Sequence, residues 1–139
     1  MKKLRGYIFS RPFFNERVPQ HIQNTVLRDY CEKKNFFFLL SFTEYTMKNS
    51  SLMLESIIKN LKKIDGIVFY SFFQMPVSFS ERKNIYNKIL KEKKELHFVV
   101  EKIIFKDINQ INQLEEMISI KSVSDNDNKS IDIKEKYLK

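Results

Sequence analysis

The chain has 139 residues, 42% hydrophobic and 30% charged, so its composition is that of a globular protein rather than a disordered or membrane-spanning one. The single Cys31 excludes an internal disulfide framework, and no apolar run approaches the roughly 20 residues of a membrane helix. Lysine and arginine exceed acids by 25 to 17, a net charge of +8 spread over every presumed helix, which reads first as solvated helix faces.

Leu4 to Ser10 contains Gly-Tyr-Ile-Phe and reads as a strand, followed by a loop at Arg11-Pro12-Phe13-Phe14-Asn15. From Val18 to Lys34, Val18, Ile22, Val26 and Tyr30 recur every four residues, joined by Leu27 and Cys31. That spacing predicts a helix with a buried stripe. Phe36 to Phe42 is continuously apolar and predicts a buried strand. After a polar loop, Asn49, Ser50 or Ser51 caps a helix whose buried face is Leu54, Ile57, Ile58, Leu61 and Ile64, and Asp65-Gly66 ends it. Ile67 to Phe73 is a third strand. Ser78-x-x-Glu81 has capping-box spacing for a helix over Glu81 to Lys94, which buries Ile85, Tyr86, Ile89 and Leu90. Leu96 to Val100 is a fourth strand, residues 102–106 fit a short strand or a loop, and Asp107-x-x-Gln110 opens a last helix.

Strands alternating with helices predict an α/β fold. The expectation is a flavodoxin-like or resolvase-like three-layer sandwich, with a parallel sheet of four strands in the order 2-1-3-4 and room for a short fifth. One domain is expected over residues 1–120. The segment 121–139 is rich in Ser, Asp, Asn and Lys and is expected to be a disordered polar tail. Met1-Lys2-Lys3-Leu4-Arg5 leads into only a short apolar stretch, so no signal peptide and a cytoplasmic location are expected.

In such sheets ligands sit beyond the carboxyl ends of the strands. Those ends deliver Ser10 and Arg11, Glu44, Ser71 and Gln74, and Glu101, while the first helix adds Arg17, Gln20, His21, Asn24 and Arg28 along one face. His21 is a proton-transfer candidate or an ordinary surface histidine. Glu44 is a general base or a brace for its loop. Arg11 is a bidentate anion grip or a surface charge, and Arg17 is the weaker second grip. Ser10, Gln20, Asn24, Ser71, Gln74 and Glu101 complete the expected binding set. Geometrically, the expectation is that Arg11, His21 and Glu44 meet around one hollow. Cys31 falls on the inward stripe as a structural thiol. No Cys or His pair, His97 included, has zinc spacing, and Gly6 and Gly66 make no phosphate loop. No metal and no cofactor are expected. Phe13, Phe14, Phe72 and Phe73 fill the core or form a subunit contact, which makes a homo-oligomer an expected partner state.

The runs GYIFSRPF (6–13), ERVPQHIQN (16–24), LRDYC (27–31), TEY (43–45), SLMLE (51–55), GIVFYSFFQMP (66–76) and LHFVVE (96–101) resemble the sporadic carbohydrate cluster proteins of bacterial surface-polysaccharide gene regions. The resemblance implies a role in lipopolysaccharide or O-chain biosynthesis. The expected ligand is an anionic sugar derivative, with His21 and Glu44 as acid and base of an isomerase, epimerase or hydrolase. The alternatives are a non-catalytic regulator or scaffold of a pathway enzyme and, ranked below it, a nucleic-acid-binding resolvase-like protein. More distantly, Gly6-Tyr7, Gln20 or Gln23, and Glu44 are similar to the plan of serine recombinase catalytic domains. With Gly6-Tyr7 aligned, Arg11 stands where that resemblance implies the nucleophilic serine, and Phe9 where it implies an arginine. Phe72, Phe73 and Gln74 stand where further arginines are implied. On this reading nucleic acid ranks last among the expected partners.

Overall fold

The computed structural model describes residues 1–121. Five strands form one sheet in the order β2-β1-β3-β4-β5. They are β1 (Lys3–Phe9), β2 (Phe37–Glu44), β3 (Gly66–Phe69), β4 (Glu95–Phe98) and β5 (Ile103–Phe105). The first four run parallel. β5 pairs antiparallel to β4, because residues 99–102 are too few for a crossover. Three helices make the connections: α1 (Gln20–Lys33), α2 (Leu52–Lys59) and α3 (Phe79–Lys91). The expected α/β sandwich and strand order are therefore found, with the fifth strand real.

The chain divides into two compact units, Met1–Ile108 and Asn109–Lys139, where the sequence suggests one domain over 1–120. In the second unit residues 111–121 are helical. Beyond residue 121 the expected polar tail falls outside the described residues.

On one face of the sheet, Leu27 and Cys31 of α1 pack on Leu4, Ile8 and Val68, edged by Tyr30, Phe36 and Phe38. On the other face an aromatic row crosses three strands. Tyr7 meets Phe69 at 5.3 Å between ring centres, and Phe69 meets Phe98 at 5.0 Å. Leu54 and Ile57 of α2 and Tyr86 and Ile89 of α3 are also buried, Tyr86 against Phe105.

The stripe that α1 buries is Gln23, Leu27 and Cys31, one residue off the expected one, and Ile22 is exposed. Gln23 displaces Ile22 because its amide has partners at the end of β1. α1 ends in a Schellman motif, with the amides of Asn35 and Phe36 donating to the carbonyls of Glu32 and Cys31. α2 is shorter than expected, with a turn of 3-10 helix at Leu61–Lys63 in its place. Neither Ser51 nor Ser78 makes a side-chain cap. β3 likewise stops at Phe69. A 3-10 turn, Phe72–Gln74, follows under a capping box whose Ser71-x-x-Gln74 spacing stands in the sequence: Ser71 Oγ accepts from Phe73 N, and Gln74 Oε1 from Ser71 N.

Both glycines serve close approach. Gly66 is not a helix stop: it opens β3, where an added Cβ would stand 2.5 Å from the Glu95 carbonyl oxygen and 3.1 Å from Leu4 Cδ2. Gly6 faces a bulge. Arg5 pairs with Leu39 and Tyr7 with Phe42, so two residues of β2 oppose Gly6 alone. Ser41 Oγ and the Phe38 ring occupy the space a Gly6 side chain would fill. A Gly66→Ala variant should lose about 1–3 kcal/mol of unfolding free energy, because backbone rather than a flexible side chain must move. Urea denaturation checks this, and an unchanged midpoint would contradict the packing described.

Candidate functional site

The polar residues expected at the strand ends do gather there, as two clasps. In the first, the bulge sets the geometry. Without it Thr43, not Glu44, would share the Tyr7 face of the sheet; the extra residue turns Glu44 to that face. The buried Glu44 carboxylate then accepts from the Tyr7 hydroxyl at 2.8 Å, Ser50 Oγ at 2.9 Å and the Tyr45 amide at 3.0 Å. It also takes the Met53 and Leu54 amides at 3.2 Å. Those two amides belong to the first turn of α2, so Glu44 does the work expected of a serine cap and places negative charge at the positive helix end.

Burial alone would push the Glu44 carboxyl up, but the hydrogen bonds from Tyr7, Met53, Tyr45 and Ser50 outweigh it and hold it below the usual carboxylate range. Burial, and then the Glu44 charge, drive the Tyr7 hydroxyl far above its ordinary value, which keeps it a neutral donor.

Arg11 joins the same clasp from the β1 end. Its guanidinium donates to the carbonyls of Tyr45 and Ser50 at 2.8 Å and of Met47 at 3.3 Å, and it lies 4.2 Å over the Phe9 ring. Ser10 Oγ donates to the Glu44 carbonyl oxygen at 3.0 Å. Arg11 and Glu44 thus both bind the loop after β2. Their partners are that loop's own backbone and hydroxyls.

The second clasp is centred on Gln23, a residue missing from the expected binding set. Its amide pairs with both backbone groups of Phe9, Oε1 accepting from the nitrogen at 3.0 Å and Nε2 donating to the oxygen at 2.9 Å. Nε2 also reaches the Val18 carbonyl, and Gln74 Nε2 donates to Gln23 Oε1 at 2.7 Å. Next to it, Ser71 Oγ donates to Glu101 at 2.8 Å and the Phe72 amide donates to the same carboxylate at 2.7 Å. The signal for Gln23 was present in the sequence: it stands at i−4 and i−8 from Leu27 and Cys31, so the inward stripe carries a polar residue.

His21 stands apart. It is exposed on α1, two residues from the inward-turning Gln23, and its carbonyl accepts from Thr25 Oγ1. Arg17 and Gln20 are exposed too, while Asn24 takes the Ser41 hydroxyl at 2.6 Å. The three-residue hollow of Arg11, His21 and Glu44 does not form. Among the described residues every buried side-chain nitrogen and oxygen has a partner. The clasps therefore close upon themselves. Ser10 faces a carbonyl and the buried Ser71 faces a carboxylate that also binds a backbone amide, so neither is an exposed nucleophile beside a free base. Among the described residues no group of three His, Cys, Asp or Glu could hold a metal ion, and no helix is long and apolar enough to cross a membrane.

No protein-family model and no curated protein matches the chain. Solved structures do. The N-terminal catalytic domain of TP901-1 integrase is 15% identical, with 91% of this chain and 98% of that one covered and a TM-score of 0.58. A resolvase family site-specific recombinase from Streptococcus pneumoniae is 10% identical, with coverage of 98% and 99% and a TM-score of 0.60. The C-terminal catalytic domain of ISC1926 TnpA, an IS607-like serine recombinase, is 13% identical, with coverage of 92% and 98% and a TM-score of 0.53. The fold is that of serine recombinase catalytic domains.

This corrects the functional expectation. Nothing found supports the carbohydrate cluster resemblance, and the neighbours turn the reading from polysaccharide biosynthesis to the resolvase-like alternative. A sugar-derived ligand, a carbohydrate-pathway partner and the low rank given to nucleic acid fall with it.

The Glu44→Gln variant tests the clasp. Its amide would aim donors at donors, so stability at pH 7 should fall by about 2–3 kcal/mol. The folded carboxyl titrates below its unfolded value of about 4.3, so the Glu44 contribution is full above that pH and is lost as pH falls through the folded value. The gap between wild type and variant should therefore narrow on acidification, as read by denaturant titration at pH 7 and below pH 4.

Proposed function

We propose that this chain is a resolvase-like domain that binds nucleic acid through the phosphate backbone without cutting it. The fold likeness to recombinase catalytic domains over more than nine-tenths of the chain carries the reading. Charge supports it. The four lysines and four acids of residues 122–139 cancel, so the net +8 belongs to residues 1–121. Phosphate contacts by such cations make binding strong at low salt and weak at high salt.

The arginines argue against strand transfer. Phosphoryl transfer needs cationic donors aimed at the developing charge. Of the five arginines, Arg5 donates to the Leu40 carbonyl, Arg11 to three carbonyls, and the buried Arg82 to the carbonyls of Pro76 and Val77. Arg17 and Arg28 are exposed on the α1 side. With Arg11 at the position the recombinase resemblance gives to the nucleophile, and Ser10 held by the Glu44 carbonyl, neither position offers a hydroxyl set to attack phosphorus.

Fluorescence anisotropy with a labelled duplex of about 25 base pairs is the test. Affinity should fall by about 10-fold or more between 50 and 200 mM salt, and a denaturing gel should show no covalent protein–DNA adduct. Absence of binding at 50 mM salt would remove the reading; an adduct would overturn its non-cutting part.

A further inference from the structure

Away from the strand-end clasps, a groove of about 600 Å³ opens between α1 and the β4–β5 turn. Its size suits a small ligand. Three ammonium groups line it: Lys33 and Lys34 from the end of α1, and Lys102 from the turn. Lysines at a helix C-terminus ordinarily answer the helix dipole, but Lys102 comes from a separate element, so two parts of the fold converge cations on one hollow. Val26, Val99 and Ile104 supply apolar wall, and Asp29 adds a carboxylate, 3.0 Å from Lys33 Nζ.

Tyr30 gives the groove direction. Its hydroxyl lies 2.6 Å from Nδ1 of the fully buried His97, whose Nε2 is 2.8 Å from Glu95. Glu95 also receives Lys2 at 2.6 Å. Burial would push the Glu95 carboxyl up, but the hydrogen bonds from Lys2 and His97 bring it below its ordinary value, so it can only accept. Burial pushes His97 down, toward the neutral ring. The neutral ring must then carry its proton on Nε2 to serve Glu95, which leaves Nδ1 as acceptor and makes Tyr30 the donor. The Tyr30 oxygen is left with its lone pairs for a donor in the groove.

We propose that this groove binds a nucleoside phosphate. The lysines hold the phosphate, Asp29 and the Tyr30 oxygen accept from sugar hydroxyls or base N–H groups, and the apolar wall covers the base. This goes beyond backbone binding of duplex and stands independently of it.

The test is NMR titration of the full chain with AMP, adenosine, inorganic phosphate and a 5′-phosphorylated tetranucleotide. AMP should shift the amide signals of Val26, Val99 and Ile104 and bind about ten-fold tighter than either adenosine or phosphate. A Lys34→Ala/Lys102→Ala pair, both on exposed side chains, should weaken AMP by about ten-fold or more, with the native spectrum elsewhere unchanged. Tighter binding of the tetranucleotide than of AMP supports the proposal with a strand end as the source; equal or weaker binding supports it with a free nucleotide. No shifts in the groove, equal affinity for AMP and phosphate, or a double variant that binds like wild type would each overturn it.

Discussion

The Glu44 carboxylate, turned inward by a bulge opposite Gly6, holds together the end of the sheet on which the rest of the molecule is arranged. It collects the Tyr7 hydroxyl, the Ser50 hydroxyl and three backbone amides, two of them at the start of α2. Removing it would leave several buried donors without an acceptor, and unsatisfied buried donors are costly. Arg11 secures the same loop through its carbonyls. One acidic and one basic side chain thus satisfy both kinds of backbone group in a connection that no regular structure covers. On their residue types alone, the same two side chains would read as an acid–base and anion-binding pair.

Gln23 and Gln74 do the equivalent work at the ends of β1 and β3. A side-chain amide carries the same donor and acceptor as a peptide unit, so Gln23 can continue the hydrogen bonding of Phe9 beyond the last residue of the strand. The Ser71–Glu101 pair then closes the next connection. The crevice where α/β sheets bind ligands is, in this chain, filled by its own polar side chains. Three of the five arginines, Arg5, Arg11 and Arg82, likewise donate to the chain's own carbonyls.

The Lys2–Glu95–His97–Tyr30 chain is a further polar network, buried at His97 and exposed at Lys2, separate from both clasps. It runs from the start of β1 through β4 to α1. His97, read from sequence as a residue inside a strand with no metal partner, is the pivot that orients a tyrosine toward solvent-accessible space. Its tautomer follows from what its neighbours can donate and accept.

Much of the architecture was legible in the amino-acid order. Apolar runs at Phe36–Phe42, broken by Ser41, and Ile67–Phe73, alternating with helical spacings, sufficed for the α/β class, and right-handed crossovers limited the strand order. The first run was expected to be buried, but β2 is an edge strand and leaves Phe37 and Leu40 exposed. The position of the polar residues at strand ends followed from the same pattern. What the order of residues left open was every event of a single residue: the shift of the α1 stripe to Gln23, the close contact that requires Gly66, and the bulge that decides which face Glu44 occupies. Periodicity averages over many residues and reports burial, so it survives such local changes. A bulge or a side-chain clasp depends on what the neighbouring strand places within about 3 Å, and only the folded chain brings those neighbours together.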